Sequence, residues 1–154
     1  MAHTLCGLLT VLGRVLIVGV FLAAAVGNDI PNFSGTVSLM ANTGIPQPQL
    51  MLVGAIGFLI VGGLSVMLGL KARFGAFLLL VFLALASYYF HNFWDLDDPL
   101  KYEQQMIHFM KNLSMMGTML FIMANGSGPM SLDSLFAHET TANAGQQRTL
   151  AEVH

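Results

Sequence analysis

Charge is what this sequence has least of. Of its 154 residues only 9% are Asp, Glu, Lys or Arg, about a third of the share usual in a soluble domain. That is too little polar surface to coat a water-soluble globule, so a free-standing soluble domain is excluded. Basic residues are scarcer still, with six Lys and Arg against eight Asp and Glu. Without a basic field to meet phosphates, a nucleic-acid partner is excluded as well. Cys6 is the single cysteine, which removes the disulfide-stapled secreted module from consideration; at the start of an apolar stretch it reads as a small apolar residue, not a reactive thiol. There is no internal repeat, no phosphate loop, no nucleophile–base arrangement and no pair of catalytic carboxylates.

What is present is apolar. Hydrophobic residues make up 55% of the chain and the mean hydropathy is +0.70. Glycine, more frequent in membrane helices than in soluble ones, occurs sixteen times, and methionine eleven. A membrane-crossing helix needs about 20 mostly apolar residues. Four stretches meet or approach that length: residues 5–26, interrupted only by Arg14; 50–70, with no charge; 74–90, a block of Leu, Val, Ala and Phe; and 105–124, which carries His108, Lys111 and Asn112 near its start. Ala23, Ala24 and Ala25 offer the small residues of a signal-peptide cleavage site. Yet no Lys or Arg precedes the first stretch and Arg14 interrupts it, so it reads as a retained span. The expected fold is all-α: an antiparallel four-helix transmembrane bundle over residues 1–136, then a polar tail over 137–154.

Orientation follows from the loops. The link between the second and third stretches holds Lys71 and Arg73 and no acid, whereas the next link holds Asp95, Asp97, Asp98 and Glu103 against Lys101 alone. The positive-inside rule puts the Lys71–Arg73 turn and both termini in the cytoplasm, with Asp95 to Glu103 outside. Tyr88, Tyr89, Phe90, Phe93 and Trp94 then fall at the outer headgroup boundary, where amphipathic rings settle. Between the first two stretches, Pro31, Pro46 and Pro48 mark an outer loop with a short surface helix from Ser34 to Thr43. Gly126, Gly128 and Pro129 stop the last helix, and the chain turns polar from His138 to His154.

Polar groups within the spans invite functional hypotheses, because charges in hydrocarbon are expensive. Arg14 lies nine residues beyond Leu5, about 13 Å at helical rise. That depth is near mid-membrane, and Arg14 must face another helix or the headgroup of a ligand. At 100° per residue Gln104, His108, Lys111, Asn112, Met115 and Met119 share one face of the fourth helix. Such a stripe suits an outward-opening cavity in which imidazole, ammonium and amide anchor a quinone carbonyl or small anion among soft methionines. It equally suits a snorkelling lysine, a boundary histidine and core methionines. If the third and fourth helices are antiparallel neighbours, His91 and His108 share a depth and could in principle ligate a haem iron. No Cys-x-x-Cys-His motif accompanies them, so haem or another tetrapyrrole is a weak reading. A metal site built from histidine with Asp95 to Asp98 is weaker still, for want of a ligand spacing. Gly54, Gly57, Gly62, Gly63 and Gly69 form a close-packing face on the second helix.

Gly13-Arg14, the proline-bearing loop, Gly62-Gly63-Leu64 with Leu68-Gly69, Phe90-His91-Asn92-Phe93-Trp94, Phe109-Met110-Lys111-Asn112-Leu113 and Ser131-Leu132-Asp133 follow one another in an order that resembles the DoxX family of small bacterial four-helix membrane proteins. The resemblance covers about residues 13–135. It implies a multi-pass protein of the bacterial inner membrane, associated in some relatives with quinone-linked thiosulfate oxidation and in others with redox or thiol-stress complexes. By that resemblance Arg14, His91, Lys111 and Asn112 match the family's polar positions. Two departures stand out: relatives often carry a glutamate where Leu59 stands and a lysine where Asn28 stands. Losing an intramembrane acid removes a partner for Arg14 and a proton carrier. The expected function is therefore an accessory subunit of a membrane redox complex, shaping a quinone or lipid pocket around Arg14, His91, His108, Lys111 and Asn112. A quinone-linked oxidoreductase subunit and a purely structural packing subunit are the alternatives. The expected partners are membrane lipids and other membrane subunits or further copies of the chain.

Overall fold

The computed structural model describes residues 2–136. The polar tail expected from His138 to His154 lies outside the described residues. Five α-helices account for most of the chain: α1 (Ala2–Ala24), α2 (Phe33–Asn42), α3 (Pro48–Leu68), α4 (Ala72–Phe90) and α5 (Pro99–Asn125). No strand occurs among the described residues. α1 runs on into a π-helical turn, Ala25–Asp29, closed by Ile30 N–H donating to the Ala25 carbonyl at 3.0 Å. A single 3₁₀ turn, Phe93–Asp95, separates α4 from α5.

Helix ends follow local chemistry. Pro48 and Pro99 open α3 and α5, where a missing N–H costs nothing. Asp98 caps α5 by accepting from the backbone N–H of Leu100 at 3.0 Å and of Lys101 at 3.5 Å. α3 stops at Gly69, whose φ of +66° is a left-handed conformation open to glycine at little strain. The Ser65 hydroxyl then donates to the carbonyls of Leu70 (2.6 Å) and Lys71 (3.1 Å), tightening the turn into α4.

The long helices lie side by side, α3 between α1 and α4, and α4 between α3 and α5. Neighbours run antiparallel. The three-residue turn forces this for α3 and α4. Gly63 sits against Val18 and Leu22 while Gly69 sits against Arg14, which fixes α1 against α3. His91 meets His108 while Arg73 bonds to the Ala124 carbonyl, which fixes α4 against α5. The core joins Val18, Phe21 and Ala25 of α1 and its π-turn to Leu59 and Val66 of α3, Leu79 and Leu83 of α4, and Met119 of α5. Around it, large apolar side chains such as Leu16, Leu50, Val53, Phe74, Leu85 and Phe121 stay exposed, the pattern of a chain solvated by lipid.

Among the described residues, three helical segments are long and apolar enough to cross a membrane: Thr4–Asp29, Pro48–Leu68 and Ala72–Asp95. α5 is longer than any single span requires, but its polar first half keeps it outside that set. The short surface helix appears as α2, one residue from its expected bounds. Of the expected glycine face, Gly62 and Gly63 do pack. A Cβ on Gly62 would meet the Gly75 carbonyl at 2.9 Å, and one on Gly63 would meet Leu22 and Val18 at 3.0 and 3.2 Å. Gly54 and Gly57 differ: a Cβ there would meet nothing within 4 Å.

Candidate ligand-binding site

The five residues singled out in the sequence fall at two opposite ends of the helices. Arg14 stands alone at one end. Its side chain is 5% exposed, lies against Gly69, and donates from Nη2 to the Met130 carbonyl at 2.7 Å. Arg14 is level with the α3–α4 turn because the first three turns of α1 extend beyond that turn, where Gly7 meets Met130 and Thr10 meets Gly128. The chain after α5 forms a strap across this end. Asp133 accepts from the Lys71 backbone N–H at 2.9 Å, its own N–H donates to the Gly69 carbonyl at 3.0 Å, and Ser127 donates to the buried Ser131 hydroxyl at 3.0 Å. The Arg14 Nε and Nη1 groups are buried without a hydrogen-bond partner among the described residues.

His91, His108, Lys111 and Asn112 gather at the other end, on α4 and α5. His91 and His108 share a depth, as antiparallel neighbours should, and their rings stack with centroids 5.1 Å apart and planes 14° from parallel. They face each other through their ring faces, not through opposed ring nitrogens. His91 Nδ1 instead pairs with Gln105 Oε1 at 2.7 Å. Asn112 donates to the buried Ser87 hydroxyl at 3.0 Å, an interhelix bond. His108 and Lys111 are exposed. Met119 is fully buried and Met115 packs against the core, so the α5 stripe passes from surface into packing. No three His, Cys, Asp or Glu side chains converge on a metal position among the described residues.

The cavity at this end lies elsewhere, under α2. A half-open cavity of about 650 Å³ is bounded by the π-turn, α2, α3, α4 and the start of α5; its lining is mainly apolar but includes Asn28, Asp29, Asn32, Thr36, His91 and Gln105. Beside it, an almost wholly apolar cavity of about 620 Å³ opens between α3 and α4 toward Leu50, Val53, Phe58 and Leu85. The two share Met40, Ala55, Phe82, Ala86, Tyr89 and Phe90 as lining. Of the expected site residues only His91 reaches either cavity. Phe93 supports this end from outside, edge-on to Trp94, Tyr102 and Phe109 at 5.3–5.4 Å.

Sequence reasoning passed over Asp29 and Gln105 as binding groups. A signal for Asp29 was available, since it is the sole acid before Asp95 and closes an otherwise apolar helix. Asn28, where a lysine was expected by resemblance, is a cavity wall. Leu59, in place of a glutamate, is fully buried in the core.

A model of the DoxX family matches residues 2–92, which include α1 to α4 and His91. This chain belongs to the DoxX family. The match ends before α5, so the cavity walls from α1 to α4 fall within the family match and Gln105 does not. Among relatives of this DoxX chain, the inner membrane protein YqjF of Escherichia coli is 32% identical over 123 residues, covering 79% of this chain and 87% of the relative. The inner membrane protein YphA of Escherichia coli is 32% identical over 101 residues, 66% of this chain and 71% of the relative. No solved structure matches. With three candidate crossings and these relatives, the DoxX chain is a multi-pass protein of the inner membrane.

Proposed function

We propose that this protein is an accessory, ligand-binding subunit of a membrane redox assembly, holding a quinone-type or lipid molecule at its outer side. In this reading α5 is a fourth crossing that completes an antiparallel four-helix bundle. Its half from Leu113 to Ala124 sits in hydrocarbon while Lys101 to His108 stand in the headgroups. Lys71 and Arg73 place the Arg14 end in the cytoplasm by the positive-inside rule, so the cavities open outward and the polar face of α5 meets a partner subunit.

The observation that carries the reading is the pair of cavities with a shared wall. An amphiphile needs a polar seat for its head and an apolar channel for its tail, and about 600 Å³ each is the size of a small-molecule site. Tyr89 and Phe90 stand at the junction, where a ring or the first carbons of a tail would lie. His91 and Gln105 supply orientation through their mutual hydrogen bond. Arg14 and the strap hold the opposite end together, and Asn112 ties α5 to Ser87 of α4. None of these three binds ligand.

The test is extraction of the protein from its own membrane in mild detergent, followed by identification of co-purifying proteins, quinones and lipids. One quinone or lipid retained per chain is expected, lost on Gln105→Leu with His91→Phe. A preparation carrying no more than an unrelated four-span control protein overturns the reading.

A further inference from the structure

Gly54 and Gly57 both face open space beside α3, but only Gly54 borders one of the cavities. The apolar cavity takes Leu50, Met51, Val53, Gly54, Ala55 and Phe58 from this helix. At 100° per residue Gly54 falls at the middle of that set, with Leu50 and Phe58 one turn to either side. A side chain at this central place would stand in the cavity, so part of its volume of about 620 Å³ is the side chain that Gly54 lacks. Nothing in the backbone requires glycine here. Gly54 lies inside a helix without a positive φ, and a Cβ on it would meet nothing within 4 Å. Glycine inside a helix costs about 1 kcal/mol relative to alanine, and at Gly54 no close packing offsets that cost.

The mouth of the cavity faces sideways. Leu50, Val53 and Leu85 in its lining are 61%, 58% and 52% exposed, and all three belong to segments able to cross a membrane. What stands outside them is hydrocarbon. Inward, the cavity reaches Ala55 and Ala86, small residues of α3 and α4 that also line the half-open cavity under α2. A chain entering past Gly54 therefore lies along α3 and α4 with its head toward α2. A water-borne molecule without a chain would leave the apolar cavity unfilled and bury none of that surface.

We infer that Gly54 is the specificity-determining residue of this site: by leaving the lateral mouth open it admits the hydrocarbon chain of a molecule already dissolved in the bilayer, and the site holds chain-bearing ligands alone. This rests on the amphiphile-binding reading above. Two sources share that chemistry, the chain of a quinone and the acyl chain of a phospholipid.

The experiment extracts the full chain from its own membrane in mild detergent as wild type, Gly54→Leu and Gly54→Phe. Gly19→Leu is the control, at an exposed glycine of α1 whose Cβ likewise meets nothing within 4 Å and which lines neither cavity. Quinones and phospholipids of that membrane are counted per chain by mass, and the one retained names the source. Wild type and Gly19→Leu are expected to retain it alike. Gly54→Leu and Gly54→Phe are expected to retain about tenfold less, with melting temperatures no lower than wild type, since both side chains enter open space. Retention by either Gly54 variant equal to wild type overturns this inference and leaves the amphiphile reading intact. An equal loss in Gly19→Leu overturns the assignment to Gly54, and a retained molecule without a hydrocarbon chain overturns the chain requirement. Wild type that retains no more than an unrelated four-span protein overturns both readings.

Discussion

At the scale of single residues, glycines of one helix divide by what surrounds them. Gly69 combines a φ of +66° with a Cα pressed against the Arg14 guanidinium and Ser131. Gly69→Ala therefore adds backbone strain to a collision, and a loss of about 1–3 kcal/mol is expected, read as a lowered melting temperature in detergent. Gly57→Ala is the contrast. Its Cβ meets nothing within 4 Å, and alanine is the better helix former by about 1 kcal/mol, so stability is expected to hold or rise. If Gly57→Ala instead disrupts assembly of the purified complex while the isolated chain stays stable, that open face is a contact with another subunit. Arg14→Met removes the bond to the Met130 carbonyl together with two unpaired buried N–H groups. Global stability is expected to change little, because those terms oppose each other. The loss is local: amide exchange over residues 126–135 is expected to quicken tenfold or more, and unchanged protection there would show that Arg14 does not hold the strap.

At the scale of elements, α5 is the helix whose two halves obey different rules. Asn112 donates to Ser87 across the α4–α5 interface, and such bonds within membranes average about 0.6 kcal/mol. Asn112→Leu should thus cost under about 2 kcal/mol by unfolding in detergent. Lys111→Leu, at an exposed position, should leave the melting temperature unchanged. Any effect of Lys111→Leu on co-purifying proteins then belongs to an interface. Element by element, the helices themselves were readable, since long apolar runs bounded by proline and glycine have few other outcomes in lipid. α2 was readable too, from the prolines that bracket it. The cavity was not. Its walls come from the π-turn, α2, α3, α4 and the first turns of α5, and periodicity within one helix says nothing of how five segments converge. The α5 stripe left two readings open for the same reason: helical spacing placed Gln104, His108 and Lys111 on one side, but only α4 decides which side is covered.

For the whole molecule, the arrangement has a direction that can be measured. With the orientation proposed above, alkaline phosphatase fused after Asp97 is expected to be active, and inactive when fused after Gly128. Activity at both points would remove α5 as a fourth crossing and with it the cytoplasmic position of the strap. The low charge of the chain fits this picture, because a surface such as Leu16, Val53, Phe74 and Phe121 offers lipid tails what they offer one another. The apolar exterior identifies the solvent, and the uncovered polar pieces at each end identify the boundaries.

The π-helical turn from Ala25 to Asp29 makes the site a matter of counting. Its wide hydrogen bonding, closed by Ile30 to Ala25, accommodates a residue that a regular helix would not hold at that point. Removing Val26 would let α1 continue unbroken, yet everything after it would swing by about 100°. Asp29 would leave the cavity with every side chain of the helix unaltered except the one deleted. Substitutions across this turn should be tolerated far better than insertions or deletions. A scan of lipid-facing positions along α1 should change phase there, and the position of that shift can be read from such a scan alone.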